Sequence, residues 1–97
     1  MCDEKRETLH LVLKFKWYDM IIEDLKGEEY REIKPTWTKR IWNRRGEIKR
    51  VCFHRGYTSI THTRDVTDIT KATGRHELGA VPGKTYYVIK LGKEAKP

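Results

Sequence analysis

The sequence predicts an α+β domain that is mainly β: a small five-stranded barrel with one amphipathic helix and a short second helix. Residues 9–15 alternate between apolar leucines and other side chains, which is the period of a half-buried strand. Apolar residues then recur at helical spacing over 17–25. Further runs rich in β-branched and aromatic residues supply the other strands. Because a small β domain must protect its sheet edges, we expect the sheet to close into a barrel.

The chain begins in the order strand, helix, strand. The first strand is predicted over 9–16, and its buried face consists of Leu9, Leu11, Leu13 and Phe15. The helix follows from Trp17, and its apolar face consists of Tyr18, Ile21, Ile22 and Leu25. Gly27 suits a C-cap, where a left-handed conformation is needed. The second strand then occupies 28–34.

Pro35 lacks the donor that a sheet ladder needs and fits the first turn of a helix, so a short helix is predicted over 35–42. The run 43–46 is a turn, and 47–55 is the third strand with Val51 and Phe53 on one face. A threonine-rich strand over 60–73 is long enough to require a bend or bulge. A glycine-containing loop over 74–83 leads to the last strand, 85–91.

The composition fits a single domain over 1–97, with its core in about 9–92 and polar tails at 1–7 and 93–97. Only 37% of residues are hydrophobic and 36% are charged, so the core must be small. No apolar run reaches membrane-spanning length, and the N-terminus is too charged for a signal peptide. Two cysteines make no disulfide framework. We expect a cytoplasmic protein without a cofactor and without a membrane partner.

Most of the net charge of +7 lies in one stretch, 39–55, called here the basic segment. It carries seven basic residues against one acidic residue, a net charge of +6, and such a patch attracts polyanions. Trp42, if exposed, would offer a stacking platform for unpaired bases, whereas Trp37 is better suited to the core. The predicted nucleic-acid contacts are therefore Lys39, Arg40, Trp42, Arg44, Arg45, Lys49, Arg50 and Arg55.

The second strand and the residues before it hold the strongest candidate for a ligand site. Alternation along a strand puts Glu29 and Arg31 on the same face, just after Lys26. We interpret these three residues as the lining of a polar pocket; the alternative is an ordinary solvated ion pair. Lys26 is also the candidate catalytic residue, although a neighbouring carboxylate favours a protonated lysine over an activated amine.

The remaining titratable residues show no pattern typical of a metal site. The four histidines, His10, His54, His62 and His76, are scattered without metal-ligand spacing. Cys52 lies between Val51 and Phe53 and is interpreted as a packing residue. We therefore predict no metal.

In the stretch 25–31, after an amphipathic helix, a lysine is followed by two residues, a glutamate, one residue and an arginine. Three further stretches are Phe53-His54-Arg55-Gly56-Tyr57-Thr58, Glu77-Leu78-Gly79 and Tyr86-Tyr87-Val88-Ile89-Lys90-Leu91-Gly92. In these stretches the chain resembles the small, single-domain ASCH proteins of bacteria and their prophages, a family related to the PUA domains that bind RNA. The likeness spans about residues 9–92.

This resemblance implies a PUA-like barrel with a cleft beside the first helix, and an RNA or modified nucleoside as ligand. One branch of the family hydrolyses acetylcytidine with a lysine, a threonine and a glutamate, and ribonuclease activity is attributed to others. Lys26 matches the lysine by its position in the motif. Glu29 stands where that branch has threonine, and Glu77 is the candidate for the glutamate.

We therefore expect the protein to bind RNA or a modified nucleotide in a cleft lined by Lys26, Glu29 and Arg31, with the basic segment holding the phosphate backbone. The alternatives are a small hydrolase, either acetylcytidine amidohydrolase-like or a ribonuclease, and an adaptor whose basic face meets an acidic protein. Turnover of an acetylated nucleoside distinguishes the hydrolase, and salt-dependent RNA binding distinguishes the binding protein.

Overall fold

The strands and helices follow one another in the predicted order. The computed structural model describes residues 7–95, so parts of both predicted tails (1–6, 96 and 97) and Cys2 lie outside the described residues. The elements are β1 Thr8–Leu13, α1 Phe15–Ile22, β2 Glu28–Glu32, α2 Pro35–Arg40, β3 Arg50–Arg55, β4 Thr61–Thr73 and β5 Thr85–Glu94. Short 3₁₀ turns over Trp42–Arg44 and His76–Leu78 complete them. The last strand, predicted to end at 91, continues to Glu94.

The five strands form one curled sheet, a half-barrel, in the order β1-β3-β4-β5-β2. β1 and β3 are parallel, whereas the other three neighbouring pairs are antiparallel. The predicted bulge in the long strand is confirmed, since the β4–β5 register shifts on both sides of Val66. β1 and β2 therefore lie at the two ends of the curled sheet, and this places the edges of both strands beside the same cleft.

The boundary between β1 and α1 was predicted wrongly. The leucines at 9, 11 and 13 are buried as expected, but Phe15 opens the helix instead of extending the strand. Its side chain is 49% exposed and lies under the guanidinium of Arg55, 4.1 Å from ring centroid to Cζ. The apolar alternation runs on through Phe15, so it does not mark the end of β1. Lys14, the helix N-cap, also keeps the extended backbone of a strand.

Helix α1 ends earlier than predicted, and Gly27 is not its cap. The backbone turns left-handed at Asp24, with φ of 59°, and the N–H of Leu25 donates to the carbonyl of Met20 over 2.8 Å. Together with the bond from the Asp24 N–H to the Ile21 carbonyl, this forms a Schellman motif with aspartate in place of glycine. The motif leaves Leu25 exposed and directs Lys26 into the protein.

The main core cluster packs against one face of the sheet. Val51 and Phe53 of β3 are fully buried, which confirms the predicted face, and they pair in register with Leu9 and Leu11 of β1. Helix α1 adds Tyr18 and Ile21 to the same cluster. A second cluster joins Tyr30, Leu78, Ala80, Tyr86 and Val88 beneath the 74–80 loop. Among the residues that the structure describes, no helix is long and apolar enough to cross a membrane.

The cap at Asp24 can be tested with two variants that remove the same carboxylate, and with it the ion pair to Arg64. Asp24→Gly should be more stable than Asp24→Ala by about 1 kcal/mol, because alanine is strained at a positive φ. Denaturant unfolding of both variants measures the difference.

Gly27→Ala serves as the control for the cap. A Cβ at Gly27 meets no heavy atom within 4 Å, and the backbone there is not left-handed, so no loss of stability is expected. If Gly27→Ala lost much stability and the two Asp24 variants were equally stable, Gly27 and not Asp24 would be the cap.

Candidate functional site

A cleft of about 530 Å³ lies between the two end strands of the half-barrel. Its walls include residues of β1, of β2 and of α2, and the 74–80 loop closes one side. Two arginines cross from the β2 side to carbonyl groups of β1. Arg31 Nη2 donates to the Val12 carbonyl over 3.3 Å, and Arg40 Nη2 donates to the His10 carbonyl over 3.0 Å. The space between β1 and β2 is therefore bridged by side chains.

Lys26, Glu29 and Arg31, called here the Glu29 group, come together beside this cleft. Glu29 is only 4% exposed. Its Oε1 lies 3.2 Å from Lys26 Nζ and accepts the backbone N–H of Tyr30 over 3.0 Å, while its Oε2 lies 3.4 Å from Arg31 Nη1. Because a buried carboxylate requires charged or hydrogen-bonding partners, the two cations and the Tyr30 N–H compensate for its burial beside the cleft.

Lys26 is the most deeply buried member of the group, at 1% exposure. Its ammonium donates to the Leu78 carbonyl and packs over the rings of Trp17 and Tyr30, at 5.1 and 4.8 Å from the centroids. Burial lowers the pKa of Lys26 below its ordinary value, and the Glu29 carboxylate acts in the opposite direction. Glu29 and Arg31 line the cleft, whereas Lys26 supports Glu29 from behind.

Arg31 and Arg40 share the ring of Trp37, which lines the same cleft. Their Cζ atoms lie 5.2 and 4.8 Å from its centroid. Arg31 Nη1 also donates to the Tyr30 carbonyl over 2.8 Å. Both guanidinium groups are thus held in place at the cleft by a ring and by backbone carbonyls.

Two residues of the 74–80 loop, Leu78 and Gly79, hold the loop against the Glu29 group and Trp17. The Leu78 carbonyl accepts the bond from Lys26, and the next residue, Gly79, has a φ of 106°. A Cβ at Gly79 would lie 3.2 Å from the Trp17 ring, so only glycine lets the loop approach this closely. Trp17, a cleft residue that the sequence analysis missed, is therefore held between the loop and the Glu29 group.

Glu77, the candidate for a catalytic glutamate, is not among the residues that line the cleft. Its side chain is exposed and forms an ion pair with Arg75, with Oε1 and Nε 2.9 Å apart. It borders a separate cavity on the other side of Trp17 and Gly79. The structure does not bring Glu77 together with Lys26.

Tyr30 joins β2 to the same loop through its hydroxyl group. Its Oη donates to Glu28 Oε1 over 2.6 Å and accepts the backbone N–H of Arg75 over 3.1 Å. Burial, followed by the hydrogen bond to the Glu28 carboxylate, raises the pKa of Tyr30 to about 12.

The basic segment is spread over the surface, and much of its charge is paired. Arg55 makes a two-pronged contact with Asp19 at 2.9 and 3.0 Å. Lys49 and Arg50 lie 3.7 and 3.9 Å from the carboxylate of Glu7. Arg44 lies 3.8 Å from Glu47, and Lys39 is exposed on α2. Within the described residues, Arg40 is the member of this segment that lines the cleft.

Both tryptophans of this region are half-buried and pack against the core. Trp42 stacks on Tyr87 with centroids 5.5 Å apart, and the guanidinium of Arg45 lies 4.0 Å from its ring. A base would have to displace Arg45 to stack there. Trp37 is half-buried against the core and also borders the cleft.

His10, Cys52 and His54 lie together on the outer side of the sheet, although the sequence showed no metal-ligand spacing. His10 also lines the cleft.

Comparisons with protein-family models, with curated proteins and with solved structures found no match to this chain. What the protein does is therefore inferred from the chemistry of its cleft.

A double-mutant cycle measures the coupling inside the Glu29 group. Lys26→Met should lower the free energy of unfolding by about 3 kcal/mol, because it leaves a buried carboxylate with one cation fewer. The double variant combines Lys26→Met with Glu29→Gln. Its loss in free energy of unfolding should be smaller than the sum of the losses in the two single variants by about 1 kcal/mol or more.

The exposed pair Lys84 and Glu32, with Nζ and Oε2 2.9 Å apart, is the matched control. Its coupling energy in the corresponding cycle should stay below about 1 kcal/mol. If the two cycles gave the same coupling, the pair of Lys26 and Glu29 would be as solvated as a surface ion pair.

The raised pKa of Tyr30 predicts a falling stability at high pH. The unfolded chain loses this proton near 10.0 while the folded protein keeps it to about 12, so stability falls as the pH rises through that interval. Ultraviolet titration of the folded protein should show a tyrosine ionising near 12 that is missing in Tyr30→Phe. An unchanged titration in that variant would contradict the assignment.

Proposed function

We propose that this chain is an ASCH-type domain, its half-barrel of PUA-like architecture, that binds RNA or a modified nucleotide in the cleft. The observation that carries the proposal is the buried, doubly paired carboxylate of Glu29 facing a cleft that two arginines cross. A buried carboxylate paired with two cations at a concave surface is typical of a ligand site, since a purely structural role is served as well by apolar residues.

The cleft has the size and chemistry that a nucleotide requires. Its volume of about 530 Å³ lies within the range of small-molecule pockets. Arg31 and Arg40 offer guanidinium planes, on which a base stacks, and N–H groups that bind phosphate. Glu29 offers an acceptor to an exocyclic amine such as that of cytosine. A ligand with both an amine and an anion therefore suits the site best.

The basic segment extends the site along a longer RNA in this proposal. Lys39, Arg40 and Arg45 are exposed and are the first candidates for backbone phosphates. The ion pairs of Arg50 with Glu7 and of Arg55 with Asp19 are at the surface, where such pairs are weak enough for a phosphate to compete. A basic, RNA-binding domain of this kind fits a cytoplasmic location.

A hydrolase is the second candidate, and burial of Lys26 is what favours it. A lysine with a lowered pKa is a step toward a base or nucleophile. Against it, the ion-pair and hydrogen-bond partners of the ammonium, Glu29 and the Leu78 carbonyl, favour the protonated form. We therefore expect Lys26 to position Glu29 for binding, and the wild type to release no acetate from acetylcytidine. An adaptor for an acidic protein is the third candidate.

Two sets of variants separate the cleft from the basic segment. Arg40→Gln should weaken binding of both cytidine monophosphate and single-stranded RNA, because Arg40 lines the cleft. Arg45→Gln is its matched control and should weaken RNA binding alone.

Neutralising Arg44, Arg45 and Arg50 together should flatten the salt dependence of RNA binding by about 0.7 in the log–log slope for each lost phosphate contact. Fluorescence anisotropy of labelled RNA and calorimetry with the mononucleotide measure these effects.

RNA affinity and salt slope that stay unchanged in the triple variant would overturn the role of the basic segment. Acetate release by the wild type that disappears in Lys26→Ala, with ligand affinity retained, would favour the hydrolase. Failure to bind either nucleotide or RNA, with binding to an acidic protein, would favour the adaptor. Circular dichroism of each variant checks that the fold persists.

A further inference from the structure

The parallel pairing of β1 with β3 gathers three metal-binding side chains that are far apart in sequence. His10 pairs in register with Cys52, and His54 lies two residues further along β3. Residues two apart on a strand share a face, so Cys52 and His54 point to the same side. That side is opposite to the one on which Val51 and Phe53 enter the core.

The ligand atoms of these three residues lie close to one another. His10 Nδ1 is 3.0 Å from His54 Nε2, and Cys52 Sγ is 3.9 Å from the same His54 nitrogen. All three atoms lie within 4.8 Å of one another. His10 is exposed and the other two residues are half-exposed, so an ion reaches them from solvent.

We propose that His10, Cys52 and His54 form a binding site for a borderline-soft divalent ion of the Zn²⁺ class. This site goes beyond the nucleotide-binding function proposed above and does not depend on it. Two imidazoles and a thiolate are a ligand set that selects zinc and its neighbours over the oxygen-seeking Mg²⁺ and Ca²⁺. Three protein ligands leave a fourth tetrahedral position open to water.

The two separations that involve His54 fit tetrahedral coordination after small side-chain movements. With metal bonds of about 2.0 Å to nitrogen and about 2.3 Å to sulfur, tetrahedral angles separate two nitrogens by about 3.3 Å and a nitrogen from sulfur by about 3.5 Å. The observed separations of 3.0 and 3.9 Å lie within a few tenths of an ångström of these values. Arg40, bonded to the His10 carbonyl, opposes a dication, and the Cys52 thiolate supplies the compensating charge.

Titration of the intact chain with Co²⁺ tests the site, because Co²⁺ reports tetrahedral and thiolate coordination in its spectrum. We expect one equivalent to produce the visible bands of four-coordinate Co²⁺ and a thiolate-to-metal charge-transfer band. Added Zn²⁺ should then remove both. Absence of these bands in the wild type would overturn the proposal.

Single variants identify the ligands, and their outward side chains leave the core intact. Cys52→Ser should abolish the charge-transfer band, and His10→Gln or His54→Gln should weaken Co²⁺ binding by more than about tenfold. Cys2→Ser and His76→Gln are the matched controls and should change nothing. A charge-transfer band that survives in Cys52→Ser and disappears in Cys2→Ser would show that the other cysteine binds the ion.

A measurement on the unmutated chain keeps the test independent of folding in the variants. Zn²⁺ should slow alkylation of Cys52 by iodoacetamide, because a metal-bound thiolate is a poor nucleophile. Mass spectrometry of the digested peptides measures the alkylated fraction. Mg²⁺ at the same concentration should not protect it. Equal alkylation of Cys52 with and without Zn²⁺ would contradict coordination by its sulfur.

Discussion

The buried charge of Glu29 is the constraint on which much of this fold depends. A carboxylate that is 4% exposed must find cations and N–H donors inside the protein, and its partners come from different parts of the chain. Lys26 reaches it from the loop after α1 and also holds the Leu78 carbonyl. Arg31 reaches it along β2 and also holds the Val12 carbonyl of β1. One buried charge thus fixes the helix exit, the 74–80 loop and the distance between the two end strands.

The strands were predictable because their signal is local. Alternation identified the buried leucines of β1 and the inward pair Val51 and Phe53, and each sits where a period of two places it. The end of α1 was not predictable in the same way. Glycine is the usual left-handed cap, so Gly27 was favoured, but the hydrogen bonds from Asp24 and Leu25 end the helix three residues earlier.

The site was predictable only where its residues share one strand. Parity brought Glu29 and Arg31 together from sequence, whereas the place of Lys26 depends on the cap at Asp24. Charge counting along 39–55 overstated the free charge, since Arg55 pairs with Asp19 across 36 positions of sequence. The meeting of His10 with Cys52 arises from a parallel pair of strands, and no spacing rule in one segment reports such a pair.

The open side of the half-barrel explains why the cleft and the edge strands occur together. If β1 and β2 paired directly, a ladder would satisfy their edges and no space would remain between them. Instead Arg31 and Arg40 donate to the Val12 and His10 carbonyls, which occupies edge acceptors that would otherwise invite another strand. Because each guanidinium has five donors, these bonds leave further N–H groups on two residues that line the cleft. The side chains that protect the sheet edge are therefore the same ones that give the cleft its positive lining.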